Sequence, residues 1–181
     1  KKVECDFERK DAFLYSLKNM DALQEEAEAA KRLGLPAEFV RNADLPFQTA
    51  GAVKFSGQAQ FNPLKLIRTL ASELEIYENT PALAVRKHCI ITPDGDITAA
   101  HIVFACHYPF LNIPGFYFAR MHQERSYVLA LENVPTLPGM YICADNGGYS
   151  FRNYQNLLLM GGENRRTGEN PGGRYEALWN A

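Results

Sequence analysis

The chain lacks most of the features that announce a function outright. It has no excess of positive charge: 19 Lys and Arg face 21 Asp and Glu, for a formal net charge of -2. A general binder of nucleic acid or anionic membranes concentrates basic residues, so neither partner is expected. No apolar run approaches the roughly 20 residues that span a bilayer. The opening Lys1-Lys2-Val3-Glu4-Cys5 has no apolar stretch of the kind a secretory signal carries. A cytoplasmic protein is the simplest expectation. The four cysteines, Cys5, Cys89, Cys106 and Cys143, include no C-x-x-C pair, which argues against a zinc knuckle or a thioredoxin-type motif and favours free, buried thiols. His88 adjoins Cys89 and Cys106 adjoins His107. Neighbours on a strand point to opposite faces, so no metal site is expected from either pair. There is no G-x-G-x-x-G and no Gly-Lys-Ser/Thr, and no Ser-His-Asp or Cys-His set supports hydrolase chemistry.

What is present is an ordinary globular composition. With 181 residues, 46% apolar and 22% charged, the chain can fill one core or two small subdomains. It starts without Met and stops at Leu178-Trp179-Asn180-Ala181 with no finishing element, which suggests a piece of a longer polypeptide.

Periodicity gives a mixed α+β reading. Val3, Cys5 and Phe7, then Phe13, Tyr15 and Leu17, recur at period two and suggest two half-buried strands with a turn around Glu8 to Asp11. A helix follows, with Asp21 as N-cap and Gln24 completing a capping box. Leu23, Ala27 and Ala30 form its apolar stripe, Lys31 and Arg32 suit its C-terminal dipole, and Gly34 ends it. Leu35 to Pro46 reads as a loop or single turn, and Gly51 to Phe55 as a strand. Asn62-Pro63 opens a second helix, with Leu64, Ile67, Leu70 and Leu74 on the face expected to be buried. Cys89 to Thr92 and Ile97-Thr98 flank Asp94-Gly95, a hairpin signal. His101 to Ala105 is nearly continuous in apolar residues, as a strand buried on both faces would be. From Pro114-Gly115 the texture changes to an aromatic antiparallel meander: a long strand within Tyr117 to Leu131, then Met140 to Ala144, Tyr149 to Asn153 and Leu157 to Met160. The tail from Gly161 to Gly173 is Gly-rich and reads as a polar loop, with a helix beginning near Arg174.

Few residues stand out chemically. Gly161-Gly162-Glu163-Asn164-Arg165-Arg166 could cradle an anion with backbone N–H groups and two guanidiniums, or be a plain surface loop. Arg152 sits in Tyr149-Ser150-Phe151-Arg152-Asn153-Tyr154 and should reach either solvent or an anionic partner, because a buried unpaired guanidinium is costly.

Three blocks taken in order carry a resemblance: Gln58-Ala59-Gln60-Phe61-Asn62-Pro63-Leu64-Lys65, then Glu78-Asn79-Thr80 with Val85, then Val103 to Phe110. With Ser150-Phe151-Arg152 and Leu157 to Glu163, they resemble FAD-dependent oxidoreductases of the D-amino-acid oxidase and glycine oxidase superfamily. The resemblance covers about residues 50 to 168. It implies a mixed, mainly antiparallel substrate-domain sheet with a few covering helices, and an incomplete piece of a Rossmann-like FAD domain. Residues 1–50 would begin the substrate domain, 51–115 would return to the FAD domain, and 116–181 would form the meander and Gly-rich loop. It implies FAD contacts at Val85, Ala105, Cys106, Gly161 and Gly162, and a substrate carboxylate at Arg152, with no catalytic base named. The implied activity is oxidation of the C–N bond of an amino acid or amine by hydride transfer to FAD. Many relatives carry His where Asn62 stands, and the dinucleotide-binding unit is missing. The expectation is therefore that this chain alone neither keeps FAD nor turns over, and that it self-associates through uncovered apolar surface. A non-enzymatic α+β interaction module, gripping a partner with the aromatic meander, is the alternative; a small transferase holding a phosphorylated ligand at Arg165-Arg166 is another.

Overall fold

The computed structural model describes residues 3–111, 115–169 and 172–180. Pro114, where the expected change of texture falls, and Asn170 and Pro171 of the tail lie outside them. The elements in chain order are β1 (Glu8–Arg9), β2 (Ala12–Ser16), α1 (Met20–Arg32), β3 (Ala37–Val40), β4 (Gly51–Phe55), β5 (Ala59–Gln60) and α2 (Pro63–Ala71). There follow β6 (Ala84–Arg86), β7 (Cys89–Thr92), β8 (Gly95–Thr98), α3 (Tyr117–Arg120), β9 (Glu124–Leu131), β10 (Met140–Cys143), β11 (Ser150–Tyr154), β12 (Leu157–Arg166) and α4 (Arg174–Trp179). They form two compact units, one of residues 1–66 and 124–181, the other of residues 67–123.

The first unit is built on a seven-stranded sheet in the order β3-β4-β2-β10-β11-β12-β9. Every neighbouring pair in it is antiparallel except β2 with β10, which run parallel. The mixed, mainly antiparallel reading thus holds. β4 opens the 51–115 segment yet lies inside this sheet, between β2 and β3. One face carries the larger core, in which Phe13, Tyr15, Tyr141, Phe151, Met160 and Leu178 are buried together. Phe13 stacks on Tyr141 with ring centroids 4.9 Å apart. On the other face α1 covers β2, β3 and β4, where its Leu23, Ala27 and Ala30 pack on Ala37 and Val53. That is the stripe read from the sequence, as is the stop at Gly34, which has φ 76°.

Several local expectations change. The N-cap of α1 is Asn19, not Asp21: Asn19 Oδ1 accepts from Ala22 N at 3.0 Å. Two residues of difference put Asp21 in the first turn, where its charge still meets the helix dipole. Residues 3–7 form no strand, although Cys5 is buried. Residues 37–40 form β3, because the exposed edge of β4 offers a ladder to the stretch that follows α1. The segment from Tyr117 is a single helical turn before β9 begins at Glu124. The Gly-rich tail is no loop up to Arg166: Gly161 to Arg166 continue β12, hydrogen-bonded along β9. The capping at Asn62 stands, with Oδ1 accepting from Leu64 N and Lys65 N at 3.1 and 3.2 Å.

The second unit contains a three-stranded antiparallel sheet, β6-β7-β8, turning at Pro93-Asp94. Two expectations fail here. α2 buries none of its residues, and Leu64, Ile67 and Leu70 are more than half exposed. His101 to Ala105 is not a strand, and Val103 is 85% exposed. Both segments are apolar, but among the described residues no layer covers them. A buried strand needs a ladder partner and cover on each face.

Replacing Asn19 with Ala should lower the unfolding free energy by about 1 kcal/mol. Asp21→Ala should cost only a few tenths, the scale of a dipole contact at an exposed helix end. Urea denaturation of the two variants checks this, and equal losses would restore Asp21 as the cap.

Candidate functional site

Alternation along β11 separates its side chains cleanly. Phe151 and Asn153 are buried toward the larger core, so Ser150, Arg152 and Tyr154 face the other way. Register then sets what stands beside them. Ser150 lies opposite Ile142 of β10 and Gly161 of β12, and Gly161 lies opposite Val128 of β9. Arg152 pairs with Leu159, which pairs with Ala130. One row therefore reads Ile142, Ser150, Gly161, Val128, and Arg152 opens the next row about 7 Å along the strand.

This half of the face is open. Ile142 is 59% and Val128 55% exposed, because α1 ends its cover at β2. A groove of about 420 Å³ runs across it, with Ser126, Val128, Ile142, Ser150, Gly161 and Asn164 among its lining. Its wall beyond β10 is the turn from Asp145 to Gly148, which is firmly held. Asp145 accepts from Ser16 Oγ and from Leu17 N, both at 2.7 Å, and Tyr15 Oη donates to the Tyr149 carbonyl at 2.9 Å. Burial pushes the Asp145 carboxyl up, but the Leu17 N–H and Ser16 hydroxyl outweigh it and leave the group below its ordinary value. Burial also raises the Cys143 thiol, so it is a poor nucleophile.

Beside Arg152 is a smaller pocket of about 80 Å³, lined also by Asp6, Glu8, Gln60, Phe61 and Tyr154. Its carboxylates are already engaged. Asp6 takes Lys65 Nζ at 2.6 Å and Tyr154 Oη at 2.9 Å, contacts that hold its carboxyl below the ordinary value, and Glu8 takes Gln60 Nε2 at 2.6 Å. Tyr154 Oη in turn accepts from Asn62 Nδ2 at 2.8 Å. Arg152 itself is half-buried and has no hydrogen-bond or ion-pair partner among the described residues.

The structure thus puts Gly161 and Arg152 on the same side of the sheet, Gly161 in the groove and Arg152 in the smaller pocket. Gly162 is buried on the opposite face, where a Cβ would overlap the Tyr149 ring and come within 3.4 Å of Leu178. Its bare α-carbon answers to packing within the sheet. A Cβ on Gly161 would stand 2.8 Å from Ser150 Oγ, the end of a side chain that can rotate away. Val85 is half-buried in β6 opposite Ile90, and Ala105 and Cys106 are exposed; all three belong to the second unit. All four cysteines are free, and Cys106 lies at the surface, not in a core as expected. Ile142, Ser150 and Val128 were not singled out from the sequence, because their meeting depends on register between strands up to three places apart.

Comparison with known proteins fits this geometry. The sequence profile of the FAD-dependent oxidoreductase family, DAO, matches residues 1–181, and the chain belongs to that family. A Bacillus subtilis (strain 168) protein, YhfW, provisionally named a Rieske 2Fe-2S iron-sulfur protein, is 31% identical over 92% of this chain. The match covers 36% of YhfW, so the chain spans about a third of that relative's length. Among solved structures, glycine oxidase from Geobacillus kaustophilus superposes with a TM-score of 0.71 at 18% identity, over 91% of this chain and 50% of that one. L-proline dehydrogenase from P. horikoshii gives 0.71 at 10% identity, over 97% and 56%. L-amino acid deaminase from Proteus vulgaris gives 0.57 at 15%, over 86% and 42%. These three likenesses are likenesses of fold.

The residues present fit one end of an FAD molecule. Gly161 and Gly162 both line the groove of about 420 Å³, with Ser150 beside Gly161. For the pyrophosphate, no helix of eight residues or more opens on a glycine-rich turn among the described residues: α1 follows Asn19 and α2 follows Asn62. Nor do the described residues contain a group of three His, Cys, Asp or Glu able to hold a metal, so nothing in them suits an iron–sulfur cluster. No described helix is long and apolar enough to cross a membrane.

The Asp145 contacts carry a sign for stability. A carboxyl depressed in the folded state contributes stability above its unfolded value, about 3.9, and loses it as pH falls through the folded value. Asp145→Asn should therefore be less stable than the parent sequence at pH 7, with the gap closing below about pH 4. Chemical denaturation at pH 7 and pH 3 measures it; a gap of constant size would mean the charge is not what the turn depends on.

Proposed function

We propose that the full-length protein oxidises the C–N bond of an amino acid or amine with FAD as hydride acceptor, and that this chain supplies the sheet covering the flavin. The observation that supports it best is the placing of Gly161 and unpartnered Arg152 on the same side of the sheet, one two-residue step apart. FAD, when bound, would supply the acceptor for a hydride from the carbon beside the nitrogen. The chain's own residues orient and enclose. Gly161 lets backbone approach the ring, Val128 and Ile142 exclude water from it, and Arg152 offers a planar fork to a substrate carboxylate. Val85, Ala105 and Cys106 serve the adenine and dinucleotide side. The uncovered face of α2 and the segment His101 to Ala105 are where further polypeptide packs; in the isolated chain they promote self-association and leave FAD unretained. The protein works in the cytoplasm on small molecules, without nucleic acid.

In the full-length, FAD-loaded protein, Arg152→Leu should raise KM for an amino-acid substrate by about ten- to a hundredfold, the loss expected for charge-assisted hydrogen bonds. Turnover of an amine lacking a carboxylate should be unaffected. Steady-state kinetics on both substrates decides: an unchanged KM for the amino acid removes Arg152 from this role.

A further inference from the structure

The far ends of β9 and β12 carry a charge pattern to which no role has been given, although Arg165 also lines the groove over Gly161. In that ladder Arg166 stands opposite Glu124, a complementary pair, but Arg165 stands directly opposite Arg125. Like charges facing each other across a ladder are unfavourable unless something compensates them. The compensation inside the chain is thin. A β-bulge separates Gly162 from Arg165, and within it Glu163 takes φ 53°, a region rare for a non-glycine residue. The bulge turns the Glu163 carboxylate, only 13% exposed, toward α4, where Arg174 Nη1 donates to it at 3.0 Å. Arg165 Nη2 stands 3.7 Å from the same oxygen, beyond hydrogen-bond length. The other terminal nitrogen of Arg165 donates to the Asn164 carbonyl at 2.8 Å, so its ion pair with Glu163 is its one charged contact among the described residues. Arg125 has no hydrogen-bond or ion-pair partner among the described residues. Two guanidiniums thus share one rung of the ladder, and the one carboxylate beside Arg165 is divided between it and Arg174.

We propose that Arg125 and Arg165 form an oxyanion site for the phosphate or carboxylate group of a ligand, separate from the role given to Arg152. A guanidinium presents donors in a planar fork that matches such groups, and one anion between two forks removes the repulsion on the rung. The bulge has a purpose on this account. By drawing Glu163 into a hydrogen bond with Arg174 it leaves Arg165 only the longer contact with that carboxylate. The Gly-rich sequence read as a possible anion cradle therefore works through its side chains and a ladder partner, not through a loop of backbone N–H groups.

The test is isothermal titration of the full-length protein with sodium phosphate and, separately, malonate, at constant ionic strength set with sodium chloride. Saturable binding is expected for at least one ion, weakened about tenfold or more by Arg125→Gln and by Arg165→Gln and unchanged by Arg166→Gln. Phosphate alone binding identifies a phosphorylated ligand; malonate alone, or both, identifies a carboxylate-compatible one. Thermal unfolding gives a second readout: without the ion Arg125→Gln should be at least as stable as the parent sequence, and saturating ion should make the parent the more stable of the two. Absence of saturable binding by either ion, or equal weakening by Arg166→Gln, overturns the proposal, the latter because it marks general surface charge. Neither result bears on Arg152, whose test is kinetic.

Discussion

The fold depends on one parallel ladder. Ala12 to Tyr15 of β2 run beside Met140 to Cys143 of β10, joining two stretches of chain that are separated by the whole second unit. Around that seam the contacts are of high sequence separation and well made. Phe13 stacks on Tyr141, Tyr15 reaches the Tyr149 carbonyl, and Ser16 and Leu17 hold Asp145. Loop-closure entropy opposes pairing at such separation, so a dense set of buried rings and charge-assisted hydrogen bonds is what makes the pairing last. Without the seam, β3-β4-β2 with α1 and β10-β11-β12-β9 with α4 would be two separate small sheets, each with too little core to be stable.

The seam also creates the candidate site. α1 is 13 residues long and follows β2 directly, so it covers the part of the face near its own strands and no more. The sheet continues past it through Ile142, Ser150, Gly161 and Val128 with that face bare. An open apolar row with a serine at its centre, a glycine floor and an unpaired guanidinium in the next row is poor design for a surface and suitable design for a lid over a flat, partly polar cofactor. The family to which the chain belongs is that of FAD-dependent oxidoreductases, and the use proposed for this row rests on that membership.

What the sequence made legible was whatever local rules govern. The buried stripe of α1, the cap at Asn62, the hairpin around Asp94 and the strands β4, β10 and β11 follow from spacing and turn chemistry. Three features were beyond such rules. The bare face of α2 and the exposed segment around Val103 have apolar patterns that promise burial, and pattern cannot say whether a covering layer is at hand. Gly161 to Arg166 have the composition of a loop and the ladder of a strand, because pairing with β9 overrides propensity. The facing of Arg125 and Arg165 is a matter of register across a bulge, which sequence spacing does not encode.

The central claim is that the row from Ile142 to Val128 lies against the flavin. Thiol labelling tests it most directly. Ile142→Cys, and Leu33→Cys as a control at the exposed end of α1, would be placed in the full-length protein and labelled with and without bound FAD. FAD should slow labelling at position 142 by about tenfold or more while leaving position 33 unchanged, since a buried thiol loses access to the reagent. Equal labelling at position 142 in the two states would contradict it.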